Sequence, residues 1–256
     1  MSRKILIEIQ NVTLSFGENT IFENINLDVF ENESIALIGP SGGGKTVLLK
    51  LLAGVYKPTK GRVLIHGEDW QSLESEEKHE LAKKVGMMFQ QSALFDTLTS
   101  IENIEFPIRE HYDDRPEKEI KELAKSFLEM VNLAGSEDKL PSQLSGGMQK
   151  RLAIARALVL SPEVVFYDDP LAGQDPIQSD QMSNLIIDFK NKNRSTLIMA
   201  SSKMKPAFNI ADRIIMVVDK ELLITGSPEE TKAHKDPRVQ QFINGNLEGP
   251  IKMRSL

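Results

Sequence analysis

Residues 39–46 read Gly39-Pro-Ser-Gly-Gly-Gly-Lys-Thr46 and satisfy the pattern G-x-x-x-x-G-K-[ST]. In a loop of this kind Gly39, Ser41, Gly42, Gly43 and Gly44 let successive backbone N–H groups turn inward on a chain of phosphates. Lys45 then neutralises the β- and γ-phosphates, and the Thr46 hydroxyl can ligate Mg²⁺. The chemistry this supports is the binding of a nucleoside polyphosphate. It depends on what flanks the loop, because a glycine-rich surface turn with no strand before it and no helix after it holds nothing.

Both flanks are legible. A strand-like run at 34–38 leads into the loop, and the residues after it place apolar side chains at 48, 49, 51 and 52, which suits a helix packed on a sheet. That helix would aim the positive end of its dipole at the phosphates. Upstream, 5–16 and 25–30 read as further strands separated by Gly, Asn and Glu, and 62–67 is strand-like again. From 92 to 160 the pattern turns helical, with Pro116 placed for a first turn and Ile120, Leu123, Phe127, Met130 and Val131 on one face. Short apolar runs at 163–168, 195–200 and 213–218 then alternate with helical stretches, the signature of a parallel sheet covered on both sides.

Composition narrows the class. At 256 residues the chain is long for one core and short for two, so one domain with an insertion, or two unequal lobes, is expected. Forty per cent hydrophobic and 27% charged residues make it an ordinary soluble globular protein. With 31 basic and 37 acidic residues interspersed, net −6, nucleic acid is not an expected partner. There is no cysteine, and His66, His79, His111 and His234 have no second ligand at helical or hairpin spacing, which argues against a structural zinc. The apolar runs fall far short of a bilayer span and the first residues are charged too soon for a signal peptide, so a cytoplasmic protein is expected.

Leu144-Ser-Gly-Gly-Met-Gln149 resembles the signature sequence of ATP-binding cassette (ABC) proteins, a second phosphate-facing loop that opens a helix. Phe89-Gln90-Gln91 resembles that family's Q-loop, Phe166-Tyr-Asp168-Asp169-Pro170 its Walker B strand, and Gly173-Gln-Asp175 its D-loop. The resemblance covers essentially the whole chain. It implies an α/β P-loop fold with a RecA-like mixed sheet core, an N-terminal antiparallel β subdomain and an inserted α-helical subdomain. The division expected is an ATP-binding core at 1–91 and 161–235, a helical signature subdomain at 92–160, and a tail at 236–256. It also implies that ATP and Mg²⁺ are cofactors and that two cassettes close head to tail, so that Ser145, Gly146, Gly147, Met148 and Asp175 serve the nucleotide held by the partner's phosphate loop. Phe16 would stack on adenine, against the plainer reading of a strand aromatic in a core. Asp168 would orient Mg²⁺ at the end of its strand, a use that fits an acid which would be costly to bury alone. Gln90 would touch Mg²⁺ or the attacking water.

Three positions depart from the family pattern. Asp169 stands where a Glu normally follows the Walker B Asp as general base, so the arm is one methylene shorter; a misplacement of ~1 Å can cost ~10²-fold. Ser202 falls where a switch histidine is expected, aligned by the Ala207-Phe208 and Ala211-Asp212 frame. Val47 replaces the hydroxyl residue that usually follows Thr46, removing a hydrogen bond worth about 1 kcal/mol. Catalysis is therefore assigned to Asp169, Gln90 and Ser202, with slow hydrolysis expected at this chain's own site; the alternatives are a working Asp/Ser site or the degenerate half of a heterodimer.

Phe95-Asp-Thr-Leu-Thr-Ser-Ile-Glu-Asn-Ile, Phe106-Pro-Ile-Arg-Glu-His111, Ala172-Gly-Gln-Asp-Pro-Ile177 and above all Asp236-Pro-Arg-Val-Gln-Gln-Phe-Ile-Asn-Gly245, followed by Gly249-Pro, resemble ATP-binding subunits of Mla/Mce-type phospholipid transporters. That resemblance implies a second cassette, an integral membrane permease and a Mce-domain lipid-binding protein as partners, in some relatives a STAS-domain subunit, and a place at the inner membrane through the permease. Leu94 and Phe95 are candidates for the permease dock or else lobe core. The tail reads as a short amphipathic helix capped by Asp236 and Pro237, with Val239, Phe242 and Ile243 on one face and Gly245 as stop; it packs on its own domain or reaches the second cassette. A soluble ATP-dependent switch or assembly scaffold of the same superfamily is the rival function. A kinase or GTPase would leave the signature loop without a role.

Overall fold

The computed structural model describes residues 3–112 and 114–251. In chain order the elements are β1 (Ile5–Phe16), β2 (Asn19–Phe30), β3 (Ser34–Ile38), α1 (Lys45–Leu52), β4 (Lys60–Ile65), β5 (Glu68–Asp69), α2 (Ser75–Lys83), β6 (Val85–Met88), α3 (Ser100–His111) and α4 (Glu117–Met130). A 3₁₀ turn (Pro141–Gln143) leads into α5 (Gly146–Leu158), β7 (Val164–Asp168), α6 (Pro176–Asn193), β8 (Thr196–Ala200), α7 (Met204–Ile210), β9 (Arg213–Val218), β10 (Glu221–Gly226), α8 (Pro228–Lys232) and α9 (Pro237–Asn244). They form two compact units, one from the chain up to Leu73 together with Thr196 onward, the other from Glu74 to Ser195. The second unit is wider than the lobe expected over 92–160, because it takes α2, β6, β7 and α6 along with the helices.

In the first unit β2, β1, β4 and β5 make an antiparallel sheet. β1 buries Ile7 and Ile9, then, across a register shift at the left-handed Asn11, Val12 and Leu14, with Leu6 buried as well. β2 begins at Asn19 rather than at 25, since a two-residue turn at Gly17 and Glu18 pairs Phe16 directly with Asn19. β3 lies between β8 and β9, parallel to both, and β10 closes the edge antiparallel to β9. β3 is buried along its whole length, which is why Ile35-Ala-Leu-Ile38 reads as an unbroken apolar run. Leu48, Leu49, Leu51 and Leu52 of α1 are all fully buried, as their spacing requires.

In the second unit β6 and β7 run parallel, with Met88 beside Tyr167. α3, α4 and α5 share a core of Ile104, Ile108, Ile120, Leu128, Leu152 and Ala155, among others. Of the face expected on α4, Ile120 and Val131 are buried and Leu123 and Phe127 lie against that core, whereas Met130 is exposed, the buried row running through Ala124 and Leu128 instead. The stretch 92–99 is loop rather than helix: α3 starts only at Ser100, where the Thr99 hydroxyl accepts from Glu102 N and the Glu102 carboxylate accepts from Thr99 N. No helix among the described residues is long and apolar enough to cross a membrane.

The tail helix is built as its sequence suggests. The Asp236 carboxylate caps α9, Pro237 takes the first position, and Gly245 ends the helix at φ 68°. Val239 is fully buried, and Phe242 and Ile243 pack with it against Ala36, Ile38, Ala207, Ile214 and Met216 of the same unit. This apolar face packs on its own domain, with Phe242 and Ile243 left half-buried. Residues 252–256 of the tail lie outside the described residues, as do the first two residues of the chain.

Candidate functional site

Each unit carries its own set of the residues singled out by the sequence. In the first, the loop 39–44 leaves the end of β3 and enters α1. Gly39 adopts φ 136°, and a Cβ there would stand 2.3 Å from the Val217 carbonyl oxygen, so the loop passes too close to the neighbouring strand for any side chain. Gly44 sits at φ 105° as the N-cap of α1, and no side chain caps that helix start. The Lys45 ammonium donates to the carbonyls of Gly39 at 2.8 Å and Pro40 at 2.9 Å, folding back over the loop it follows. Ser41 and Gly42 are exposed, and Gly43, Lys45, Thr46 and Val47 are half-buried along the rim.

The same edge receives the segment after β8. Leu37 of β3 pairs with Ala200, and Ser201 N donates to the Leu37 carbonyl at 3.0 Å. The Ser201 hydroxyl bridges to Lys203, donating to its carbonyl and accepting from its N–H, which leaves Ser202 exposed at the crest of that turn. Phe16, at the end of β1, is 46% exposed and makes an edge contact with Tyr56 at 5.1 Å. It is not a core aromatic.

In the second unit the ends of β6 and β7 bring Gln90 and Asp168 to one edge, Asp168 buried as the last residue of its strand and Gln90 exposed in the turn two residues past Met88. Asp169 follows at φ 48°, a left-handed conformation that Asp tolerates better than most residues, and its Oδ1 is buried without a hydrogen-bond partner among the described residues. Ser145 caps α5, its hydroxyl accepting from Met148 N at 3.3 Å. Gly146 is exposed, and Gly147 lies so near Gln178 that a Cβ would meet its Oε1 at 3.0 Å. Asp175 caps α6 by accepting from Gln178 N at 2.9 Å, so the glycine pair and the Asp175 turn lie side by side. The Lys150 ammonium, on α5, donates to the Ala172 carbonyl and ties the two helix starts together.

One residue that matters here escaped the sequence reading. Arg156 of α5 donates to the Ser92 carbonyl at 3.0 Å and lies 5.3 Å from the Phe95 ring centre, and burial holds its guanidinium below its usual range. Ser92 and Ala93 are both left-handed, at φ 62° and 46°, an uncommon pair for residues with side chains. Arg156 therefore braces the turn that carries Gln90. Nothing in the local sequence distinguishes it from the other basic residues of α5. Leu94 packs into the helical core, while Phe95 is exposed and stacks at 4.5 Å on the equally exposed Phe106.

The glycine turns at Gly39 and Gly44, the uncapped start of α1 and the lysine arched over the loop suit a polyphosphate. For a metal, no group of three His, Asp or Glu side chains gathers among the described residues. Mg²⁺ needs only one or two protein ligands beside phosphate oxygens and waters, and the Thr46 hydroxyl and the Asp168 carboxylate are oxygen donors of the kind it takes.

Fold and site together define a P-loop nucleotide-binding cassette. Residues 22–172 match the ABC transporter family, and the chain belongs to it. Over 249 residues it is 38% identical to the intermembrane phospholipid transport system ATP-binding protein MlaF of Haemophilus influenzae, covering 97% of this chain and 94% of that one. It is 37% identical to the probable ribonucleotide transport ATP-binding protein mkl of Mycobacterium leprae, covering 99% of this chain but 73% of that one. Among solved structures, a dimeric post-hydrolysis state of the ATP-binding cassette MJ0796 bound to ADP and Pi superposes with a TM-score of 0.79 at 31% identity, over 85% of this chain and 96% of that one. The protein is thus an ATP-binding, ATP-hydrolysing cassette whose cofactors are ATP and Mg²⁺.

Proposed function

We propose that this chain is the ATPase subunit of a transporter that moves phospholipid through a membrane permease, and that it works as one of two cassettes. The observation that carries the nucleotide half is the loop 39–46, whose glycine turns and arched Lys45 are shaped for a triphosphate. The lipid half is supported by likeness to MlaF along nearly the whole of both chains, whereas mkl, named for a different cargo, extends well beyond the match.

In this reading Lys45 and the loop N–H groups bind the phosphates, the exposed Phe16 offers its ring to the base, and Thr46, Asp168 and Gln90 hold Mg²⁺, which supplies charge neutralisation at the phosphates. Asp169 takes the proton of the attacking water, with Ser202 as a donor to the outer phosphate. Its unpartnered, buried Oδ1 supports the role, because a carboxylate oxygen withheld from water gains a partner only when one arrives. Ser145, Gly146, Gly147, Met148 and Asp175 serve the second cassette's nucleotide. Asp169 and Ser202 favour slow turnover at this chain's own loop, and since the signature half is intact, pairing with a different, active cassette is the reading to set beside a homodimer. The exposed Phe95 and Phe106 offer the permease an aromatic dock. The remaining partners are a Mce-domain lipid-binding protein and a STAS-domain subunit, and the place of action is the cytoplasmic face of the inner membrane.

Affinity purification of the full chain from detergent-solubilised membranes tests this. An integral permease, a Mce-domain protein and enriched phospholipid should co-elute and be identified by mass spectrometry. Recovery of the chain with soluble partners alone would favour the switch or scaffold reading and overturn the proposal.

A further inference from the structure

Two of the four histidines that sequence spacing leaves unmatched meet in space. His79 on α2 and His111 at the end of α3, 32 positions apart, bring Nε2 of the first within 3.2 Å of Nδ1 of the second, with ring centres 4.5 Å apart. We infer that this pair is a two-imidazole chelate for a borderline divalent transition cation of the Zn²⁺, Ni²⁺ and Cu²⁺ class. Two nitrogens bound to one such ion at about 2.0–2.1 Å stand roughly 2.9–3.4 Å apart for coordination angles from square to tetrahedral. The observed separation falls in that span, so the two rings need only turn their lone pairs onto one point to accept the ion.

Burial first, then the neighbouring His79 and Lys83, hold His111 below its usual value. On binding, the ring that donates the hydrogen bond carries its proton on its other nitrogen instead, so both facing nitrogens present lone pairs to the ion. Glu80 and Glu110, each next in sequence to one histidine, act on His111 with negative charge, and Lys83, the opposing cation, is bonded to Glu80 at 2.5 Å.

The ion would clasp two elements that flank one segment. α2 runs straight into β6, which leads to Gln90, and α3 begins where the loop after Gln90 ends. This consequence for Gln90 rests on the proposed function; the binding itself does not.

The test is therefore run without nucleotide. Full-length chain stripped with a chelator is titrated with Zn²⁺ by calorimetry, and Cu²⁺ is used in a parallel sample to read nitrogen ligation by electron paramagnetic resonance. One ion per chain should bind with a two-nitrogen signature, and His79→Ala and His111→Ala should each weaken it by about tenfold or more. His66→Asn, which changes a histidine elsewhere, should leave it untouched. His79 is exposed, so its substitution leaves the fold in place. Undiminished one-to-one binding in both single variants, or no one-to-one binding by the wild type, would overturn the inference.

Discussion

Asp169 and Gly39 show how much a single position decides. Asp169 stands where the family pattern carries a carboxylate one methylene longer, and a base held ~1 Å too far back forfeits up to ~10²-fold in rate. Restoring reach and charge together, in Asp169→Glu with Ser202→His, should raise steady-state ATP turnover by about that factor; an unchanged rate would show that the Asp/Ser site is already competent. At Gly39 a side chain would meet the Val217 carbonyl at 2.3 Å while the backbone stays in a left-handed region. Gly39→Ala should cost about 2–4 kcal/mol in denaturant unfolding, in line with strain at a special backbone position. Both positions were legible beforehand as types in a motif. What could not be read was their setting. The orphaned Oδ1 of Asp169 and the brace from Arg156 to Ser92 depend on segments far apart in sequence, and Phe16 could have been core or surface until the strand end left it exposed.

The elements were foreseen where one physical signal dominated. α1 declared itself through four leucines on one face, and α9 through its aspartate cap, proline and glycine stop. β6 is not legible in the sequence, because Val-Gly-Met-Met is short and carries a glycine that a strand would ordinarily avoid; here a Cβ at Gly86 would strike the Ala157 carbonyl, so the strand admits only glycine against α5. α9 offers two measurements. Val239 is fully buried, so Val239→Ala should lower unfolding free energy by about 1–3 kcal/mol. Arg238 bonds Asp236 at 2.8 Å and Glu221 at 2.5 Å, and the Asp236 carboxyl lies below its ordinary value chiefly through that guanidinium. A depressed carboxyl pKa stabilises above its unfolded value and loses that contribution as pH falls through the folded one. The protection factor of the α9 amides, with intrinsic exchange divided out, should accordingly be flat from neutrality down to about pH 4 and fall below it; a fall already near pH 6 would contradict this anchor.

At the scale of the molecule, composition argued against nucleic acid as a partner, and the alternation of short apolar strands with helices gave the fold class. The two compact units follow contact rather than motif boundaries, which is why the motif-based division at 91 and 160 differs from the observed 73 and 195. The pairing of His79 with His111 is a property of the folded unit that no spacing rule reaches. All of the functional reading hangs on a triphosphate seated in the loop 39–46, with Lys45 released from the Gly39 and Pro40 carbonyls to meet it. The most direct measurement is the equilibrium affinity of the purified chain for Mg-ATP, wild type against Lys45→Ala. Loss of charge-assisted bonds to phosphate should weaken binding by about 10²-fold, whereas an affinity unchanged by the substitution would contradict the account at its root.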